Sequence, residues 1–171
     1  MNNNPPTLIA KSGREFATVP AAVVIFIVNP NEEILLLKSP KRKRWEVISG
    51  ALEAGETVLA GALREVYEEA GRQIKVRPLG AVHTATFHYD ENLPYMFSLC
   101  YLFAYEGGQI IPGDDMIGAP YQWVGLDQWG QLSAQMSPRA NHFWLAHRTI
   151  DLYRIWVRQD VSLWHETEPV R

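Results

Sequence analysis

Apolar positions along this chain fall into two kinds of block. Residues 21 to 28, Ala-Ala-Val-Val-Ile-Phe-Ile-Val, are apolar without interruption, and after the turn Asn29-Pro30-Asn31 the block from Glu33 to Lys38 resumes with three leucines. Unbroken β-branched and aliphatic runs closed by turn residues predict buried strands, here joined as a hairpin. A Ser39-Pro40 turn and four consecutive cations, Lys41 to Arg44, come next, and the short apolar stretch Trp45 to Ile48 ends at Ser49-Gly50. From Val58 to Ala70 the period changes, with Leu59, Leu63, Val66 and Ala70 at i, i+4, i+7 and i+11. That spacing predicts a helix with Thr57 as its N-cap and Gly71 as its stop.

Residues 74–82 and 84–89 then predict strands, Asp90-Glu91-Asn92 a turn, and 95–105 a long strand ending at Gly107-Gly108. The Pro-, Gly- and Asp-rich residues 110–121 predict a loop, 122–126 a short last strand, and 137 to about 161 one long or two abutting helices. Strands on either side of a central helix, with another helix at the end, predict an α/β fold in which a mixed sheet is covered on both faces. Residues 1–17 are expected to be a flexible segment, 18–135 the domain proper, and 136–171 a C-terminal helical extension packed on it.

Composition narrows the function classes. At 171 residues, 47% hydrophobic and 20% charged, the chain has the makings of one core and excludes a collagen, a disordered tail or a coiled coil. Sixteen basic against 19 acidic side chains leave a charge of -3, so no broad nucleic-acid surface is expected and any polyanion site must be local. Cys100 is the only cysteine, which excludes an internal disulfide and a Cys-rich metal centre and fits a reducing compartment. With no targeting pattern at the start and no apolar run long enough to span a bilayer, a soluble, cytoplasmic protein without a membrane partner is expected.

The chemistry concentrates in the helix and the loop before it. At about 100° per residue from Leu59, Glu65, Glu69 and Glu68 fall near 240°, 280° and 180°, on one flank of the helix. Taken alone, a Glu-x-x-Glu-Glu is ordinarily a solvated face. Carboxylates at i, i+3 and i, i+4 repel by a few tenths of a kcal/mol per pair, and a bound cation would reverse that sign. Oxygen donors without Cys or paired His favour a hard ion, Mg²⁺ or Mn²⁺, and Mg²⁺ prefers few carboxylates plus substrate phosphate oxygens. Gly50 and Gly55 would let the backbone approach such an ion or a pyrophosphate, and Arg64 with Glu56 could hold the loop to the helix.

The whole segment from Gly50 to Arg72 resembles the Nudix box of the MutT-like hydrolases, G-x5-E-x7-R-E-U-x-E-E-x-G-U with U bulky and apolar. Gly50, Glu56, Arg64, Glu65, Val66, Glu68, Glu69 and Gly71 all match. Chance would produce such a register on the order of once in a million. Arg72 departs from the last apolar position, and Ile48-Ser49-Gly50 stands where many members have Pro-Gly-Gly. The resemblance implies an α/β/α sandwich and metal-dependent hydrolysis of the pyrophosphate bond in a nucleoside diphosphate linked to another moiety. It implies Glu65 and Glu69 as main metal ligands, Glu68 as further ligand or base, the Gly50 carbonyl as a candidate ligand, and Arg64 and Glu56 as an orienting pair. In this family the base also comes from loops outside the box, which makes Asp114 and Asp115 candidates.

Weaker features concern the substrate, expected to be a nucleotide-type small molecule. The cluster Lys41 to Arg44, Arg44 among them, could meet substrate phosphates, and Trp45, Phe87 or Tyr89 could stack on a base. Tyr89 lies roughly where the dinucleoside-polyphosphate branch carries a diagnostic tyrosine. The proline of the ADP-ribose branch is missing, and no motif of the coenzyme A or NADH branches is recognisable, so the branch stays open. The five histidines read as structural. The apolar C-terminal stretch, with Phe143, Trp144, Trp156 and Trp164, suggests packing on the sheet together with a homodimer interface. Two alternatives are an isopentenyl diphosphate type isomerase, disfavoured by the setting of Cys100, and a non-catalytic nucleotide- or RNA-binding Nudix domain. Retention of all four box glutamates stands against the second.

Overall fold

The structure is a computed structural model that describes residues 7–137 and 142–159. Its main body is a seven-stranded mixed sheet between helices. The central strand β3 (Ala21–Val28) pairs in parallel with β8 (Met96–Gly108) along its whole length and antiparallel with β6 (Ile48–Ala51). β4 (Ile34–Lys38) joins β3 at Val28↔Ile34 and then turns to β5 (Trp45–Glu46) and β9 (Tyr121–Val124). The expected hairpin therefore forms but splays at once, because each of its strands has another partner. β7 (Ile74–Phe87) closes the other edge against β8.

Alternation along β3 and β4 explains their unbroken apolar sequence. Val23, Ile25, Ile27, Leu35 and Leu37 pack under helix α1 (Val58–Glu69), beside Ala62, Val66 and Ala70. Phe26, Val28, Ile34 and Leu36 face the opposite layer, where Trp129 of α2 (Leu126–Leu132) and Leu145, Ala146, Ile150 and Tyr153 of α3 (Phe143–Trp156) cover the sheet. A strand buried on both faces has no position left for a polar residue. This is the expected α/β/α sandwich.

Several elements differ in extent from the sequence expectation. β7 is continuous where two strands were expected, and the break falls at a register shift between Ala81 and His83. A further shift lies between Pro78 and Gly80, tolerable because β7 is an edge strand whose missing N–H faces no partner. The N-terminal segment, expected to be flexible, carries β1 (Thr7–Ile9) and β2 (Glu15–Ala17), paired as a separate ribbon with all six strand residues exposed. Helix α2 was not anticipated, and its one fully buried side chain is Trp129. Helix α3 is shorter than the expected span, and Trp164, His165 and the rest of 160–171 lie outside the described residues.

Helix α1 starts as expected, with the Thr57 hydroxyl accepting from the Ala60 N–H at 3.2 Å. Its end is fixed by Gly71, at φ 94°, against which the Ile111 carbonyl packs so closely that a Cβ would overlap it. The buried face is rotated from the expected one. Leu59 and Leu63 are half-buried, whereas Ala62, Glu65, Val66 and Glu69 are buried. Two carboxylates thus enter the protein rather than the solvent. Among the described residues no helix is long and apolar enough to cross a membrane.

Candidate active site

Arg64 organises the site. Its Nε and Nη2 donate to the two carboxylate oxygens of Glu56 at 3.2 and 2.8 Å, and Nη2 also donates to the Ala51 carbonyl at 3.0 Å. Nη1 donates to Glu65 Oε1 at 2.8 Å and to Glu68 Oε2 at 3.0 Å. Glu56 further accepts the Glu53 N–H at 2.6 Å, so the loop from 51 to 56 is pinned to the helix by one guanidinium. The bonds from Arg64, and then from Glu53, hold the Glu56 carboxyl below the usual carboxylate range. Glu56 foremost, then Glu65 and Glu68, hold Arg64 in its charged form. The pair that the sequence suggested is present.

Glu65 and Glu69 lie one helical turn apart under the β6 strand. Gly50 makes this approach sterically feasible: a Cβ there would overlap the Glu65 carboxylate. Burial pushes the Glu65 carboxyl up against the opposing pull of Arg64. Glu69, only 7% exposed, receives the Ser49 backbone N–H on its carboxylate and is pushed up to about 9, first by burial, then by the charges of Glu65, Asp115 and Glu46. Its Oε2 has no hydrogen-bond partner. Glu68 is half-buried and held by Arg64.

Residues 110–119 fold over the C-terminal end of α1. The Ile111 N–H donates to the Ala70 carbonyl at 2.9 Å and the Gly113 N–H to the Glu69 carbonyl at 3.2 Å. A short 3-10 turn, Asp114–Met116, follows. Both aspartates are exposed, but it is Asp115 whose charge reaches Glu69, and Asp115 is paired with Lys41 at 3.2 Å. Asp114 sits at φ 46°, a left-handed conformation that Asp tolerates better than most side chains.

The remaining sequence candidates lie elsewhere. Arg44 donates to the Met136 carbonyl at 3.1 Å, and Trp45 packs with the layer of α2 and α3, with Lys38 Nζ 5.6 Å from its ring centre. Tyr89, exposed beyond β7, stands 6.4 Å from Phe87 between ring centres. Cys100 is buried on the α2/α3 side of the sheet, opposite the α1 layer, its thiol pushed up to about 11 by burial. Arg72 is exposed. One residue was missed: Glu46, buried beside Trp45 and bonded by Arg42 Nη1 at 2.7 Å. Its signal was the one charge in the otherwise apolar stretch Trp45 to Ile48.

Among the described residues no three acidic or imidazole groups form a ready ligand set, and Arg64, Arg42 and Lys41 are paired with Glu65, Glu68, Glu46 and Asp115. The donor chemistry nevertheless fits a hard cation. The two buried side-chain oxygens without a partner among the described residues, Glu46 Oε1 and Glu69 Oε2, both belong to carboxylates that act on each other. Such orphaned acceptors are uncommon in folded proteins and call for a proton, a water or an ion.

Comparison with known proteins agrees with this layout. The NUDIX domain family model matches residues 18–145. The NAD-capped RNA hydrolase NudC of Pseudomonas aeruginosa (strain LESB58) is 34% identical over 136 residues, 76% of this chain and 42% of that protein. An ADP-ribose pyrophosphatase of Methanocaldococcus jannaschii is 30% identical over 99 residues, 56% of this chain and 57% of the relative. The chain therefore spans less than half the length of the NudC relatives it matches. Among solved structures, a Nudix family hydrolase from Clostridium perfringens superposes with a TM-score of 0.63 at 18% identity, covering 77% of this chain and 96% of that one. An ADP-ribose pyrophosphatase from Streptococcus suis 89-1591 gives 0.64 at 18%, covering 80% and 93%, a likeness of fold. With the box matched at all but its last position, the sandwich in place and the family model spanning most of its length, the chain belongs to the Nudix family.

Proposed function

We propose that this domain is a pyrophosphohydrolase that uses Mg²⁺ or Mn²⁺ to cleave the pyrophosphate bond of a nucleoside diphosphate linked to another moiety. The observation that carries the reading is Glu69: a buried carboxylate with a free oxygen, one turn from buried Glu65, under a loop that Arg64 and Glu56 clamp in place. The activities named for the relatives, on NAD-capped RNA and on ADP-ribose, support the same bond type.

In this reading Glu65 and Glu69, with Glu68 and the Gly50 carbonyl, hold the cation. When bound, it neutralises phosphate charge and acidifies a water. Arg64 keeps the carboxylates in register and ties their helix to Ala51 and Glu56, so the loop carrying Gly50 cannot drift from them. Asp115, exposed and close enough for its charge to act on Glu69, serves as the base that takes the proton of the attacking water, and Lys41, 3.2 Å away, positions it. Lys41 and Arg42 stand where substrate phosphates would meet them, and Tyr89, exposed beyond β7, is the aromatic assigned to stack on a base. The exposed Phe143, Trp144 and Ile155 of α3 supply the surface for a homodimer.

Release of phosphate and nucleotide is to be measured on nucleoside triphosphates, ADP-ribose, NAD, nucleotide sugars and dinucleoside polyphosphates, with either ion and with chelator. Metal-dependent turnover of one class is expected. Tight binding without any turnover would replace the hydrolase by a non-catalytic nucleotide- or RNA-binding domain.

A further inference from the structure

We propose that Glu46, outside the box, is an additional carboxylate of the cation site, with Arg42 as the group that positions it. The assignment rests on the hydrolase reading above and adds a ligand to it.

Strand geometry sets the direction of Glu46. In β5, Trp45 and Glu46 must point to opposite faces of the sheet. Trp45 goes to the α2/α3 layer, which sends Glu46 to the face under α1. The register agrees: Glu46 is the antiparallel partner of Leu37, and cross-strand partners share a face. Leu37 packs in the same cluster as Val66 and Ala62 of the box helix. Glu46 therefore lies on the floor from which Ser49 and Gly50 rise to meet Glu69 and Glu65.

Its hydrogen bonding is lopsided. Glu46 is 5% exposed, and its Oε2 accepts from Arg42, whose own side chain is 64% exposed. One oxygen is thus satisfied by an exposed guanidinium, and the other, Oε1, is buried with no donor. A stabilising ion pair would not be built this way. A mostly exposed Arg contributes little to a partner, whereas a buried carboxyl with one oxygen unmet is costly. Burial at a loss is what a ligand position requires, because the ion supplies the missing interaction. The neighbouring Lys41 makes the same kind of contact with Asp115, so two adjacent cations of the 41–44 loop each hold one acid of the site. Glu46, Glu65 and Asp115, from three elements of the fold, each lie close enough for their charge to act on Glu69.

The experiment is Mn²⁺ titration without substrate, followed by electron paramagnetic resonance and calorimetry, on the wild-type chain, Glu46→Gln and Glu46→Asp. Glu106→Gln, which removes an equal charge from an exposed pair with Arg77 at the far end of β8, controls for net charge. The expected result is Mn²⁺ binding at least ~10-fold weaker, or one ion fewer, in Glu46→Gln, an intermediate loss in Glu46→Asp, and none in Glu106→Gln. Thermal melting in chelator reports whether each variant folds, and Glu46→Asp decides the matter if Glu46→Gln does not. Unchanged Mn²⁺ affinity and stoichiometry in a folded Glu46 variant overturns the assignment while leaving the hydrolase reading in place. A wild-type chain that binds no Mn²⁺ overturns both.

Discussion

Replacing Glu69 by glutamine keeps the shape of the side chain and removes its ionisation. Burial holds this carboxyl protonated up to about 9 in the folded chain, against 4.5 for the ordinary group. Between those values the unfolded chain gives up the proton and the folded chain keeps it. The stability that Glu69 contributes is therefore complete below 4.5 and is lost as pH rises toward 9, by up to ~1.4 kcal/mol per pH unit. At about pH 7.5, roughly three units above the ordinary value, the accumulated loss is bounded by about 4 kcal/mol, on the order of 10 °C in melting temperature. Glu69→Gln escapes that loss. In chelator near neutral pH the variant should resist urea better than the wild type, with a flatter dependence on pH, while its metal-dependent turnover disappears. Added Mn²⁺ should stabilise the wild type by mass action and leave the variant where it was. The assay is urea unfolding followed by tryptophan fluorescence across that pH range, with chelator and with Mn²⁺. If the variant is no more stable than the wild type in chelator and the two curves run parallel in pH, the burial argument is wrong.

Two further substitutions probe the geometry. Gly50→Ala puts a methyl group where the Glu65 carboxylate lies, so the end of that side chain must swing away and Mn²⁺ affinity should fall, with only a small change in stability; unchanged Mn²⁺ affinity would mean that Glu65 is not held against β6. Asp115→Asn, at an exposed pair with Lys41, should change stability by less than ~0.5 kcal/mol and cut kcat by about 100-fold or more, whereas Asp114→Asn should do neither; equal kcat in the two variants would remove Asp115 as the base.

The box, the central helix with its Thr57 cap and Gly71 stop, and the two-faced burial of β3 and β4 are legible in the residue pattern, because these depend on neighbours within a turn or a strand. The sequence also contained the Arg64–Glu56 pair, since both residues sit in one loop-helix unit. Tertiary structure decided the rest. The rotation of α1 that buries Glu65 and Glu69 follows from where β6 and Gly50 lie, not from the helical period, which centred the apolar face on Leu59. That Asp115 and not Asp114 acts on Glu69 by its charge follows from the fold of residues 110–119 over the helix end. Arg44 and Trp45 sit next to Glu46 in sequence, yet a strand sends alternate side chains to opposite faces, so Trp45 goes to the α2/α3 layer and only Glu46 turns under α1. Local periodicity fixes which residues can be buried. Which of them meet is set by contacts between segments far apart in the chain, and the carboxylates of this site come from three such segments.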